Sequence, residues 1–106
     1  MSANQGFRLH PGAAQDIIEI WEYIAADNPQ AAQRVREEIL DALRQLVSFP
    51  SQGHKRLDLT SKPLRFLTVR SYVIAYAPEE VPLLVLSIIH GKRSPRIIAA
   101  TLRARE

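Results

Sequence analysis

The stretch Pro82-Leu83-Leu84-Val85-Leu86-Ser87-Ile88-Ile89-His90-Gly91-Lys92-Arg93 decides the fold of this chain. From Leu83 to Ile89 every residue except Ser87 is apolar, and the run is bounded by a proline and a glycine. Such a run is too short for a comfortable helix and is typical of a strand covered on both faces. We therefore predict a central strand here, which needs neighbours on both sides. Because the strand delivers a histidine and two cations at its end, we expect functional side chains there.

Length and composition set the class of protein. The chain has 106 residues, and we expect a single domain over residues 1–106. It has no cysteine, which excludes disulfides and thiolate metal sites. No apolar run approaches the roughly 20 residues that span a bilayer, and Met1–Gln5 lacks the basic and apolar regions of an export signal. We expect a cytoplasmic protein with no membrane partner.

The charges are unevenly distributed along the chain. Residues 1–53 carry four arginines against seven acidic residues, a balance of −3. Residues 54–106 carry ten basic against four acidic residues, a balance of +6. This asymmetry favours an acidic or polyanionic partner on one side of the fold. The alternative is an ordinary surface whose charges happen to segregate.

The first half of the chain predicts a short strand and two helices. Phe7-Arg8-Leu9 alternates and predicts a strand at or near a sheet edge. Pro11 opens a first helix, and Asn28-Pro29 caps and starts a second that runs to about Phe49, before Pro50. Because almost nothing connects them, the helices must form an antiparallel hairpin lying on the sheet. The apolar stripes are Ile17, Ile20, Trp21, Ile24 and Ala25 in the first helix, and Ala32, Val35, Ile39, Ala42, Leu43, Leu46 and Val47 in the second. We expect Trp21 to lie in the core.

The second half predicts a three-stranded meander. Residues 50–56 form a crossing loop, which we expect Leu57 and Leu59 to anchor. Strands follow over residues 64–69 and 72–77, joined by turns to each other and to the central strand. Ser94-Pro95 starts a basic final helix whose weak apolar face (Ile97, Ile98 and Leu102) predicts loose docking, or ordering on a partner. The predicted class is α+β: an N-terminal strand and a helical hairpin on a three- to four-stranded, mainly antiparallel sheet, with a short C-terminal helix.

Short fragments throughout the chain carry a family resemblance. They are Leu9-x-Pro11, Asp16-Ile17, Ile20-x-x-Tyr23-Ile24, Pro50-x-x-Gly53-x-x-Arg56, Leu64-Arg65, Tyr72-x-Ile74-x-Tyr76 and Ile89-His90-Gly91-x-Arg93. In this order and spacing they resemble the RelE/ParE superfamily of toxins from bacterial type II toxin–antitoxin systems. The likeness covers nearly the whole chain, although each fragment alone is unspecific.

The resemblance implies one of two activities. ParE-like members poison DNA gyrase by protein binding, and RelE-like members are ribosome-dependent mRNA endoribonucleases. The long hairpin and the His90-Gly91-x-Arg93 ending are similar to the ParE branch. Ribonuclease members usually place a tyrosine or a histidine–tyrosine pair near the end of the last strand or in the tail, and no tyrosine follows Tyr76 here. We therefore expect a ParE-like gyrase inhibitor, with the endoribonuclease as the alternative and a degenerate toxin that only binds its antitoxin as a third possibility.

The same resemblance implies a cognate antitoxin as partner. It would be a small protein of the ribbon-helix-helix, ParD-like type, forming a hetero-oligomer in which its C-terminal segment covers the hairpin and the sheet. Residues expected to bind the target or the antitoxin are Arg56, Arg65, Tyr72, His90, Lys92 and Arg93.

The sequence offers too few candidate groups for ribonuclease chemistry. Cleavage by the 2′-hydroxyl needs a base, an acid and cations that stabilise the phosphorus-centred charge. The candidates near the strand end are His90, Arg93, Arg65, Arg56 and Lys92. A second proton-transfer group is not obvious, unless His54 folds back, so no catalytic residue is expected.

Purely structural roles for the same residues stay open. His90 can be a strand-end histidine bonded to backbone, and Arg65 and Arg93 can pair with Glu19 or Glu22 on the helices. The three histidines show no metal-ligand spacing, and we expect neither a metal nor a cofactor.

Overall fold

The computed structural model describes residues 6–106, so the prediction about Met1–Gln5 lies outside the described residues. The elements follow the predicted order. They are β1 (Phe7–Leu9), α1 (Pro11–Ala25), α2 (Pro29–Ser48), β2 (Arg65–Val69), β3 (Tyr72–Ala77), β4 (Leu83–His90) and α3 (Pro95–Arg105). The fold is α+β, with helices packed on a mixed sheet, as predicted.

The sheet has the strand order β1-β4-β3-β2. Strand β4 pairs with β3 antiparallel on one side and with β1 parallel on the other, which confirms the predicted central strand. The β1 pairing covers only Leu83–Val85. From Leu86 onwards, therefore, the outer edge of β4 has no strand neighbour among residues 6–106.

The sheet separates two apolar clusters. Val85 and Ile88 enter the cluster under α1 and α2, whereas Leu86 enters the one under α3. Simple alternation would place Val85 and Ile88 on opposite faces. They share a face because the register shifts between Ala75 and Tyr76, which leaves Leu86 as an extra residue of β4. The first cluster contains Ala13, Ile17, Val35, Ile39, Leu43, Leu46, Ile74, Tyr76, Leu83, Val85 and Ile88. The second contains Leu59, Leu64, Phe66, Ala75, Leu86, Ile98 and Leu102. Burial on both faces explains why β4 is almost continuously apolar.

The helix starts carry the expected capping chemistry. The side chain of Asn28 accepts a hydrogen bond from the Ala31 N–H at 3.0 Å, and that of Ser94 accepts one from the Ile97 N–H at 3.3 Å. A proline occupies the first turn after each cap, where its missing N–H costs nothing. Helix α1 is capped by His10, whose Nδ1 accepts the Gly12 N–H at 2.9 Å, a contact that the sequence did not predict.

Three packing predictions are wrong. Trp21 is 37% exposed, because it lies on the flank of α1 beside a surface groove between the two helices instead of facing the sheet. Leu57 is 80% exposed and does not anchor the loop in the core. Leu59 is buried in the second cluster, as predicted. Helix α3 is firmly docked, since Ile98 and Leu102 are buried in the second cluster.

Candidate functional site

The predicted site residues separate to opposite ends of the sheet. Across the sheet, His90 of β4 lies opposite Tyr72 of β3, and Tyr72 lies opposite Val69 of β2. Arg65, the first residue of β2, lies opposite Tyr76 instead. Arg65 therefore lies four residues from the His90 row, about 13 Å along the strands at ~3.3 Å per residue. The reason is directional: β2 and β4 run the same way, so the first residue of one and the last residue of the other cannot meet. The prediction that Arg65 and His90 share one site is wrong.

Arg65 holds the crossing loop in place. Its Nη1 donates to the carbonyl oxygen of Gly53 at 2.7 Å, and the Tyr76 hydroxyl donates to that of Pro50 at 2.7 Å. The same hydroxyl accepts the Gly53 N–H at 2.9 Å. Tyr76 is fully buried, and this burial raises the pKa of its phenol. The predicted pairing of Arg65 with Glu19 or Glu22 is not observed among residues 6–106, because the partners of its guanidinium are backbone carbonyls.

Arg56 is also engaged within this loop. Its guanidinium donates to both carboxylate oxygens of Asp58, at 2.9 Å and 2.7 Å. The hydrogen bond from Arg56 lowers the pKa of Asp58. Arg56 therefore lies apart from His90 and is already paired with an acid.

The His90 end of β4 brings two rings together. His90 and Tyr72 lie edge to face with ring centroids 5.3 Å apart. The Lys92 N–H donates to His90 Nδ1 at 3.1 Å. This contact agrees with the structural role considered for His90, a strand-end ring bonded to backbone, and it leaves Nε2 for any other partner. Burial, followed by the neighbouring Tyr23, raises the pKa of the Tyr72 phenol.

Sequence reasoning missed the approach of Tyr72 to His90. It searched for a tyrosine after Tyr76, in chain order. The usable signal was the predicted hairpin itself, since antiparallel pairing places the first residue of one strand opposite the last residue of the next.

Beside these rings lies a groove of about 610 Å³ between α1 and α3. Its floor includes Ile88, Ile89 and His90; Tyr23 contributes from α1 and Ile97 from α3. The complete lining is Asp16, Glu19, Ile20, Tyr23, Tyr72, Ile88, Ile89, His90, Arg93, Ile97, Thr101 and Arg105. Tyr23 is 82% and Ile97 45% exposed, so the groove offers apolar surface to a partner.

Arg93 lines this groove, and two further cations, Lys92 and Arg96, are close to it in the chain. Lys92, Arg93 and Arg96 are exposed and follow one another within five positions. Within the described part of the chain, none of the three forms an ion pair. The predicted pairing of Arg93 with Glu19 or Glu22 is therefore absent there, and these charges are available to a partner.

A partly buried ion pair lines the groove. Arg105 donates from Nη1 to Asp16 Oδ2 at 2.6 Å and from Nη2 to Oδ1 at 3.1 Å. The edge of β4 is bonded to the same pair, because Asp16 accepts the Ile88 N–H at 3.0 Å and Arg105 donates to the Leu86 carbonyl at 3.0 Å. We call Asp16 and Arg105 the edge clasp. It stands where a neighbouring strand would otherwise pair.

Gly12 makes the edge clasp sterically possible. A Cβ at this position would overlap the Arg105 guanidinium. The clasp joins α3 on one face of the sheet to α1 on the other, around the open edge. No pattern in the sequence pointed to this contact, whose partners are 89 positions apart.

Among residues 6–106, no helix is long and apolar enough to cross a membrane. No group of three or more histidine and carboxylate side chains there is placed to hold a metal ion.

Comparison with known proteins identifies the family. The model for the ParE toxin of the type II toxin–antitoxin system parDE matches residues 7–95. The chain belongs to the ParE toxin family. A solved chain from the chromosomal ParDE toxin–antitoxin system of P. aeruginosa has the same fold, with a TM-score of 0.66 and 20% identity. The match covers 84% of this chain and 98% of that one. A comparison with curated protein sequences finds no match.

The family match bears on the groove in this ParE toxin. The matched range ends at Pro95, which is the first residue of α3. Ile97, Thr101 and Arg105 therefore lie beyond the matched range, and they form the α3 side of the groove. The resemblance to the RelE/ParE superfamily is confirmed, and the groove combines family elements with a helix outside the matched range.

Proposed function

We propose that this ParE toxin arrests growth by binding DNA gyrase and trapping its DNA-cleaved state, and that a cognate antitoxin neutralises it. The observation that carries the proposal is a set of cations, Lys92, Arg93 and Arg96, that form no ion pair within residues 6–106 and accompany an exposed apolar groove. Such a surface fits an acidic protein partner, since charged rims steer association and apolar centres hold it. We place both partners in the cytoplasm.

A supercoiling assay with purified gyrase tests the proposal. The toxin should block supercoiling at a near-stoichiometric ratio and accumulate cleaved DNA, and the antitoxin should relieve both effects. Arg93→Glu should weaken inhibition, because it reverses an unpaired charge that lines the groove. Lys62→Glu is the matched control, because it also replaces an exposed cation by glutamate. Lys62 lies three residues before Arg65, at the end of the sheet opposite to His90. Full supercoiling at a large excess of toxin would contradict gyrase as the target.

The alternative activity, ribosome-dependent mRNA cleavage, gains one supporting observation. Tyr72 lies against His90, and Arg93 lines the same groove, so a second proton-transfer group is present after all. Since burial raises its pKa, Tyr72 would stay protonated near neutral pH and would serve as the acid. Because His90 Nδ1 accepts the Lys92 N–H, the neutral ring carries its proton on Nε2 and would donate to the phosphate beside Arg93. A general base for the 2′-hydroxyl is still missing from this arrangement.

Primer extension on translated mRNA separates the two activities. Cuts within codons that disappear in His90→Ala and Tyr72→Phe would establish the nuclease and refute the gyrase mechanism. No cuts in cells that nevertheless stop growing would favour the gyrase proposal. Unimpaired growth after induction would indicate the degenerate toxin.

The antitoxin is expected in the neighbouring reading frame. We propose that it encodes a small ribbon-helix-helix protein and that the two proteins form a hetero-oligomer. Copurification of the pair after joint expression, followed by light scattering, measures both association and stoichiometry. A neighbouring product that never copurifies would argue against this partner.

A further inference from the structure

We infer that the outer face of the helical hairpin binds a second copy of this toxin in a two-fold symmetric contact. The inference goes beyond the proposed function, because it concerns the toxin alone and requires neither gyrase nor an antitoxin. It assigns a second surface, on the flank of α1 that faces α2, to self-association.

A shallow groove between α1 and α2, which we call the hairpin groove, has a volume of about 370 Å³. Its apolar part includes Ile18, which is 50% exposed, and Trp21, which is 37% exposed, so a partner can bury surface of both. Tryptophan is enriched among the residues that dominate binding energy at protein interfaces. No lining residue is shared with the groove between α1 and α3, so a partner in one groove leaves the residues of the other accessible. The lining is Ile17, Ile18, Trp21, Glu22, Gln33 and Arg36.

The two helices that border the hairpin groove carry opposite charges. Helix α1 contains acidic residues and neither lysine nor arginine. The first part of α2, residues 29–36, contains two arginines and no acidic residue. Glu22 of α1 and Arg36 of α2 both line the groove, and neither forms an ion pair within residues 6–106. The surface therefore presents an unpaired anion and an unpaired cation beside one apolar centre.

A second copy of the chain satisfies both charges at once. In a two-fold interface the same patch faces itself, so every contact between two different residues occurs twice. With the axis near Trp21, Glu22 of each copy faces Arg36 of the other, and the apolar side chains pack between these two ion pairs. A partner with a surface of one sign would attract one of the two groups and repel the other. Charge complementarity therefore favours a copy of this chain as the occupant.

Trp21 is the single tryptophan of the chain, so its fluorescence reports directly on this face. In a dilution series of the purified toxin, its emission should move to shorter wavelength as the concentration rises, because the indole leaves water when the dimer forms. Sedimentation equilibrium on the same samples should show the mass increase from one chain to two. Thermal unfolding of every variant verifies that it is folded.

An apolar contact in the hairpin groove is tested by Ile18→Glu, which should raise the Kd of the dimer by about tenfold or more. The matched control is Leu57→Glu, the same kind of change at a position that is 80% exposed and lies outside the groove. The control should change Kd by less than about twofold.

Charge reversal tests the symmetry of the contact. Glu22→Arg and Arg36→Glu should each raise Kd by about tenfold or more, because like charges then meet twice in each dimer. An equimolar mixture of these two variants should associate with nearly wild-type affinity, since one copy brings two cations and the other two anions. Lys62→Glu, at an exposed cation outside the groove, should change Kd by less than about twofold.

Three results would each overturn the inference. They are a toxin that stays monomeric up to about 1 mM, a dimer that Ile18→Glu leaves intact, and charge-reversed variants that do not associate when mixed. A monomer whose Trp21 emission moves only when gyrase or the antitoxin is added would assign this face to that partner and would also overturn it. None of these outcomes bears on gyrase inhibition, which the supercoiling assay measures separately.

Discussion

Removing the guanidinium of the edge clasp should destabilise the toxin far more than removing an ordinary surface arginine. The substitution Arg105→Met keeps an apolar stem over Gly12 but deletes contacts to two oxygens of Asp16 and to the Leu86 carbonyl. It leaves the Asp16 carboxylate, whose side chain is only 14% exposed, without its counter-charge.

The magnitude follows from the burial of this pair. Breaking a buried pair from one side costs about 3–5 kcal/mol, and a solvent-exposed pair contributes about 0–1 kcal/mol. The Arg105 and Asp16 side chains are 18% and 14% exposed, near the buried limit but with some solvent access. We therefore expect a loss of about 2–3 kcal/mol in the free energy of unfolding, which corresponds to a fall of about 10–15 °C in Tm for a domain of this size.

Urea denaturation followed by circular dichroism measures this loss. Arg44→Met is the matched control, because the Arg44–Asp41 pair has side chains 62% and 74% exposed, and it should cost less than about 0.5 kcal/mol. In a double-mutant cycle, Asp16→Asn and Arg105→Met should couple by about 1–3 kcal/mol. Equal effects of Arg105→Met and Arg44→Met, or additivity in the cycle, would refute the reasoning.

Three more predictions concern Tyr76 and the core. Tyr76→Phe should cost about 1–3 kcal/mol at pH 7 in urea denaturation, because it leaves the buried Gly53 N–H without its acceptor; a loss near zero would show that the loop is not held by this hydroxyl. Because burial raises the pKa of Tyr76 above 10.0, the unfolded chain loses the phenol proton first, and the stability of the wild type should fall as the pH rises above about 10. That fall should be smaller in Tyr76→Phe, as measured by denaturation at several pH values. Leu43→Ala, at a fully buried position, should cost about 2–5 kcal/mol in the same assay, and more than Trp21→Ala; the reverse order would contradict the observed exposure.

The elements of this fold could be predicted because local signals specify them. Asn28-Pro29 and Ser94-Pro95 begin helices as capping chemistry requires, and the apolar run before His90 forms the central strand. Periodicity was less reliable at the margin of a stripe. Trp21 fits the spacing of the buried face of α1, yet its position on the flank leaves it partly in solvent.

The candidate site was harder to predict, because it depends on strand direction and on contacts distant in sequence. The grouping of Arg65 with His90 failed because it considered which residues end strands and not which way each strand runs. The approach of Tyr72 to His90 was implicit in the hairpin and was overlooked. The edge clasp could not have been predicted, since its partners are related only by the completed fold.

The clasp also has a consequence during synthesis. Strand β4 ends at His90, 15 residues before Arg105, an interval of roughly 1–3 s at the usual elongation rates of ~5–20 residues per second. Asp16 waits much longer, since it precedes Arg105 by 89 residues. The ion pair can therefore form only once Arg105 has been made. A chain that stops before Arg105 would leave this edge of β4 uncovered and open to pairing with strands of other molecules.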